Sequence, residues 1–327
     1  MSSSTGNQKT IYNEDKSIRV IIEKISDRPY YSMQYDGDYS FEEYLKEGSC
    51  NIEEFSSFVE KKLIYHHKIN IHNKDYGCAA FTATNPEGDL LFARNMDCEV
   101  AIPMLIQLSN NDSYRSLAFL TMAELEWDES TYDTLEEDAK LTLAAPYSPK
   151  DGINEHGLAV ACLTDAKASY PQHNKITLFD EILPRLILNK AKTVDEAIQL
   201  VDGYNLFFII APLHFMVADA NGASAVIEFV NGKMVITKKS KDYQIVTNFT
   251  LYNNPDLNGF GKERYEDMEI ELEKRRGIIS EHDALELLKR NVIPGDEQWS
   301  AVYNLNKRSV CITFSREYHK VYQYNLV

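Results

Sequence analysis

The residues best suited to chemistry fall in one stretch, GCAAFTATNPEGDLLFARNMD, residues 77–97. Cys78 follows a glycine, and Arg94 and Asp97 stand three residues apart downstream of a turn signal. If NPEG (85–88) is a four-residue hairpin loop, Thr84 lies opposite Asp89 and Cys78 faces Asn95. Arg94 and Asp97 then lie close to the thiol, on opposite faces unless the strand bends after Arg94. A cation beside a thiol favours the thiolate, which is the nucleophilic form. The thiol still needs a base. None of the eight histidines falls within this stretch, so a Cys/His pair has to come from folding. The alternative is cleavage between Gly77 and Cys78: the released α-amine has a pKa of roughly 8, close to that of a thiol at about 8.5, and Asp97 could hold it. Gly77 would leave room for attack on its own carbonyl, and it fits a plain turn equally well. A buried, inert Cys78 is the competing reading, since free cysteines are commonly small core residues.

The elements that must position these groups read as mixed α and β. SIRVIIEKI (17–25) predicts a strand and IEEFSSFVEKKLIYHH (52–67) an amphipathic helix capped by Asn51. CAAFTAT, DLLFARN, MLIQLS and RSLAFL are short strands apolar at successive positions, which predicts sheets covered on both faces. Residues 122–150 are acidic and read as a solvated mixture of short helix and loop. Two helices follow in TLFDEILPRLILNKAKTVDEAIQLV, with Pro184 kinking or dividing the first and Thr193 and Glu196 forming a capping box on the second. LHFMVADANGASAVIEFVNGKMVITKK is a three-strand meander with turns at ADANGAS and FVNGK. YQIVTN adds a strand, KERYEDMEIELEKRR a helix stopped by Gly277, SEHDALELLKR a helix capped by Ser280, and RSVCITFS and KVYQYNL the closing strands.

Taken in order, YGCAAFTATNPEGDLLFARNMD, DGINEHGLAVA, LHFMVADANGASAVIEF, VTNF and KERYE resemble the choloylglycine hydrolase family of N-terminal nucleophile hydrolases, which includes bile-salt hydrolases and penicillin V acylases. The resemblance implies an α+β fold, a four-layer αββα sandwich of two antiparallel sheets. It also implies hydrolysis of a linear, non-peptide amide through an acyl-cysteine, with no metal and no organic cofactor. Carried over residue by residue, Cys78 is the nucleophile with its freed amine as base, and Arg94 and Asp97 are the pair beside it. Asn248 of VTNF is the side-chain oxyanion donor, and Arg264 of KERYE supports the site. Thr164 stands where bile-salt hydrolases carry Asn, which weakens a bile-salt assignment; Thr164 and Asn95 are candidate substrate or oxyanion groups. His156 and His214 read as structural, and Asn154 as a turn residue. The resemblance divides the chain into an extension or propeptide, residues 1–77, packed on a catalytic domain, residues 78–327, with self-cleavage between Gly77 and Cys78.

Composition agrees with such a role. The chain has 327 residues, 44% hydrophobic and 26% charged, with no apolar run long enough to cross a bilayer. A net charge of -16 disfavours nucleic acid and anionic lipid, leaving a small N-acyl amide as the expected partner, with a homo-oligomer allowed by the resemblance. Five cysteines without a CxxC pair predict neither a disulfide framework nor a zinc site. The polar start, MSSSTGNQKTIYNEDK, lacks the core of a signal peptide, so the chain as written is expected in the cytoplasm, the alternative being an exported protein whose leader has been removed. An acyltransferase using the same acyl-enzyme, and a noncatalytic ligand-binding protein, are the alternative functions. Acyl preference is expected to rest on residues 99–106, 122–150 and 165–176.

Overall fold

Strands that are apolar on both faces need cover on both sides, and the chain provides it by stacking two sheets with helices outside each. The structure, a computed structural model, describes residues 8–26, 28, 30–64, 76–98, 102–110, 112–125, 138–209, 211–293 and 297–326. Its strands are β1 (Gln8–Tyr12), β2 (Arg19–Lys24), β3 (Tyr31–Asp36), β4 (Tyr76–Thr84), β5 (Leu90–Cys98), β6 (Pro103–Leu108), β7 (Ser116–Thr121), β8 (Asp151–Asn154), β9 (Ala159–Thr164), β10 (Thr177–Phe179), β11 (Asn205–Phe207), β12 (Leu213–Ala218), β13 (Ser224–Val230), β14 (Lys233–Lys238), β15 (Gln244–Val246), β16 (Glu297–Asn304), β17 (Ser309–Phe314) and β18 (Tyr322–Asn325). A ten-stranded sheet runs β1-β2-β3-β6-β7-β8-β9-β12-β13-β14 and a six-stranded one β15-β4-β5-β16-β17-β18. Within these two sheets the pairings are antiparallel except β3 against β6, where the N-terminal meander joins the large sheet; β10 and β11 form a separate parallel pair.

The layer between the sheets holds Ala80, Phe92, Met96, Phe119, Leu163, Met216, Trp299 and Tyr303. Outside the large sheet lie the helices α1 (Phe41–Glu47), α2 (Ile52–Val59), α3 (Leu183–Lys190) and α4 (Val194–Asp202). Outside the small sheet lie α5 (Lys262–Lys274) and α6 (Glu281–Arg290), burying Met268, Leu272, Leu285 and Leu288 on Phe81 and Leu91. The result is the four-layer αββα sandwich. Helix starts follow their caps: Asn51, Thr193 and Ser280 each accept the backbone N–H three residues on. Pro184 sits in the first turn of α3, directly after a short 3₁₀ turn, so it divides the helix instead of bending it.

Two expectations are corrected. The helix read over 52–67 is α-helical only to Val59, then widens into a π turn over Glu60–Ile64; its last residues lie outside the described ones. The acidic segment 122–150 is not simply a solvated face: Leu143, Ala145, Tyr147 and Lys150 are buried. Their 3₁₀ helix, Asp138–Tyr147, packs on the aromatic residues of the N-terminal segment, while 126–137 lie outside the described residues.

Candidate active site

The β4–β5 hairpin sets the register of the site, and it is one residue off the sequence expectation. Asn85 closes a five-residue loop: its side chain accepts from the N–H of Glu87 and Asp89, and its own N–H bonds Asp89 O at 2.8 Å. Gly88 takes the positive φ of 93° the loop requires. With Asp89 in the loop, Thr84 pairs with Leu90 and Cys78 with Met96. Arg94 therefore shares the inter-sheet face with Cys78, and no bend is needed; β5 runs unbroken from Leu90 to Cys98. Asn95 and Asp97 take the opposite face. There Asn95 is bound to Leu288 O at 2.8 Å and to the Ser300 hydroxyl at 2.6 Å, so the structure places it under α6 and away from the thiol. Asp97 pairs with Gly77 across the ladder.

Cys78 is buried, with Sγ 3.4 Å from Arg94 Nη2 and 3.8 Å from Met96 Sδ. Arg94 is fully buried and forms an ion pair with Asp151 of β8, reaching from one sheet to the other. Trp299 Nε1 donates to Asp151 at 2.9 Å and the Tyr303 hydroxyl donates to its other oxygen. Arg94 Nη2 also donates to Cys162 O at 2.9 Å. Burial works against the Arg94 charge, but Asp151 and the two thiols outweigh it and raise its pKa. For Cys78 the balance goes the other way. Burial pushes the thiol up, Arg94 and Arg264 oppose, Asp97 adds to the rise, and the net direction is up. Arg94 favours the thiolate, as its proximity leads one to expect, but burial outweighs it.

The backbone of Cys78 is held unusually for a strand. The β4–β15 ladder ends at Ala80 opposite Val246, so the edge of Cys78 meets side chains instead of a strand. Its N–H donates to Asn248 Oδ1 at 2.8 Å, and its carbonyl accepts from Arg264 Nη1 at 2.9 Å. Arg264 Nη2 donates to the same Asn248 oxygen at 2.8 Å, and Nη1 lies 3.9 Å from Asp97. Asn248 Nδ2 donates to the carbonyl and the hydroxyl of Thr164, at 3.0 and 2.9 Å. Because Thr164 O can only accept, it fixes the amide with Oδ1 towards Cys78. Arg264 reaches back from the first turn of α5 past Gly261, whose φ is 88° and where a Cβ would stand 2.6 Å from Arg264 Nη2.

Gly77 lies within β4 and not in a turn. The space a side chain would take is filled by the end of Ile293, with Cδ1 1.7 Å from an added Cβ. A recess of about 220 Å³, counting its open mouth, adjoins the thiol and is lined by Cys78, Cys162, Thr164, Leu213 and the pair Lys150 and Glu181. That pair is buried, Nζ to Oε2 being 2.5 Å. Sequence reasoning missed Asp151, Lys150 and Glu181. Lys150 closes the segment 122–150, which the sequence marks only as a whole for acyl preference, and Asp151 follows it directly.

The sequence profile of the linear amide C-N hydrolases, choloylglycine hydrolase family, matches residues 78–270. The chain belongs to this family. A penicillin V acylase from Pectobacterium atrosepticum is 33% identical over 119 residues, 32% of this chain; the match spans about a third of that relative's length, 31%. Among solved structures of similar fold are a penicillin V acylase from Agrobacterium tumefaciens (TM-score 0.53, 18% identity, 73% of this chain and 83% of that one) and a conjugated bile acid hydrolase from Clostridium perfringens (TM-score 0.55, 16% identity, 76% and 92%). These likenesses show the shared sandwich fold. Family membership begins at Cys78, the residue on which Arg94, Asn248 and Arg264 converge.

Proposed function

We propose that this chain is a cysteine amidohydrolase that splits the linear amide of a small N-acyl substrate, with Cys78 as nucleophile once the Gly77–Cys78 bond has been cut. The observation that carries the reading is the hold on Cys78: side chains, not a neighbouring strand, take its N–H and C=O. Cutting the chain there turns that N–H into an amine already facing Asn248 Oδ1, with Asp97 on the adjoining face. In self-cleavage the thiol attacks the Gly77 carbonyl, a C–S bond replaces the C–N bond, and water resolves the thioester to a Gly77 carboxylate and a free thiol. In turnover the amine takes the thiol proton and the sulfur attacks the substrate carbonyl. The amine then protonates the departing nitrogen, and water releases the acid.

Arg94, held by Asp151, stabilises negative charge on sulfur as the proton leaves. Arg264 and Thr164 position Asn248, whose Nδ2 is the donor proposed for the oxyanion, shared with Thr164. The matching of the family from Cys78 onward supports a catalytic unit that starts there. No helix among the described residues is long and apolar enough to cross a membrane.

The test pairs N-terminal sequencing of purified protein with hydrolysis of N-acyl amino acids, penicillin V, conjugated bile salts and N-acyl amines. The expected results are a chain beginning at Cys78 and activity on one of these classes. Cys78→Ala should stay uncut and lose activity by about 10³-fold or more. Full activity in uncut protein, or in Cys78→Ala, would overturn the proposal.

A further inference from the structure

Three buried groups lie beside the site but outside its chemistry: His214 on β12, Glu228 on β13 and Asp165 just after β9. Their relative exposures are 0%, 0% and 1%. His214 Nε2 bonds Thr247 O at 2.8 Å, which leaves Nδ1 as the atom facing the carboxylates. It has no hydrogen-bond partner and stands 3.9 Å from Asp165 Oδ2 and 3.9 Å from Glu228 Oε1. These separations are too long for hydrogen bonds. Among the described residues neither carboxylate has a lysine or arginine partner: Asp165 accepts from Thr250 Oγ1 and Lys167 N, and Glu228 from Thr237 Oγ1, Leu251 N and Tyr252 N. Two buried carboxyl groups therefore face one imidazole nitrogen, with only neutral donors bonded to them among the described residues.

We propose that Nδ1 of His214, Asp165 and Glu228 bind a divalent transition-metal ion, Zn²⁺ or Mn²⁺. Two ligand atoms about 2.1 Å from one cation at a tetrahedral angle are roughly 3.4 Å apart, so each His214–carboxylate spacing of 3.9 Å has to close by about half an ångström. The three ligand atoms lie within 4.8 Å of one another. An imidazole with two carboxylates is a donor set that suits these ions better than Ca²⁺ or Mg²⁺, which take oxygen. A divalent charge also neutralises both carboxylates at once. Thr250 and Leu251 are only partly buried, which gives an entry side. The role is structural: the same three residues bond Thr247, Thr250, Leu251 and Tyr252, so the ion would lock the segment that carries Asn248.

Metal analysis of the full-length protein, followed by chelator dialysis and thermal unfolding, tests this without reference to hydrolysis. Expected are about one Zn²⁺ or Mn²⁺ per chain after loading and, at saturating metal, a Tm about 5 °C above that of the chelated protein. Ca²⁺ or Mg²⁺ should give no such rise. Asp165→Asn, which keeps its shape and its bond from Thr250, and Glu228→Gln should each lose both the metal and the rise. If these variants fail to fold, the wild-type comparison decides alone. No uptake, uptake without a Tm change, wild-type uptake in both variants, or a response to Ca²⁺ only would overturn the assignment.

Discussion

The Cys78 thiol is buried and its pKa raised, although a guanidinium lies 3.4 Å away. Desolvation wins because Cys78 is 1% exposed and Arg94 is already committed to Asp151. A thiol with a raised pKa is protonated at neutral pH, and its thiolate fraction grows only as pH rises past the ordinary thiol value of about 8.5. Brief iodoacetamide labelling across this range should therefore modify exposed Cys50 well before Cys78 in chains that keep the Gly77–Cys78 bond. In chains that begin at Cys78, the adjoining amine should bring that labelling to lower pH. Cys162, pushed up to about 12 by burial, should stay unlabelled in both. Tryptic peptides spanning or starting at Cys78 differ in mass, so one sample reads both populations. Equal labelling of the two would mean that the amine does not act on the thiol.

At the scale of elements, the turn before α5 decides where Arg264 can reach. Gly261 holds a left-handed φ and leaves its Cβ position to the Arg264 guanidinium. Gly261→Ala should cost about 1 kcal/mol of stability and, by moving Arg264 off Cys78 O and Asn248, lower kcat by roughly tenfold or more. Gly232 makes the control: its φ is also positive, 69°, but nothing lies within 4 Å of an added Cβ. Gly232→Ala should lose comparable stability with kcat unchanged. Urea unfolding and steady-state kinetics on the two variants separate backbone strain from displacement of the arginine; equal loss of kcat in both would refute the positioning role.

For the whole molecule, the extension before Cys78 is built into the sandwich. β1–β3 continue the ten-stranded sheet, with Tyr31 to Tyr35 paired along Met104 to Leu108 of β6. Tyr39, Phe41, Tyr44 and Phe55 pack against Tyr147 and Phe179, which follow Cys78 in the chain. Each buried aromatic is worth about 1.5–3 kcal/mol, so loss of the segment would strip the outer core of the large sheet. We propose that residues 1–77 stay bound after cleavage. A denaturing gel should show two fragments where size exclusion shows one particle, and separation should require unfolding. A residue 78–327 fragment that elutes alone with unchanged Tm would show a disposable propeptide instead.

Read alone, the sequence marked β2, β4–β7, β12–β15, β17, β18 and the helices α2–α6, the caps at Asn51, Thr193 and Ser280, and, through its family resemblance, the set Cys78, Arg94, Asn248 and Arg264; it did not mark β1, β3, β8–β11, β16 or α1. Those features rest on periodicity, local side-chain bonds and an ordered set of motifs. It misplaced the hairpin register by one residue, because the Asn85 side chain draws Asp89 into the loop, a choice between near-equal turns that spacing does not reveal. Asp151 and the Lys150–Glu181 pair were not legible, since their partners come from distant strands and helices that meet only when the two sheets stack. The direction of the Cys78 pKa was likewise settled by tertiary structure, because burial is a property of the packed sandwich and not of any neighbour in the chain.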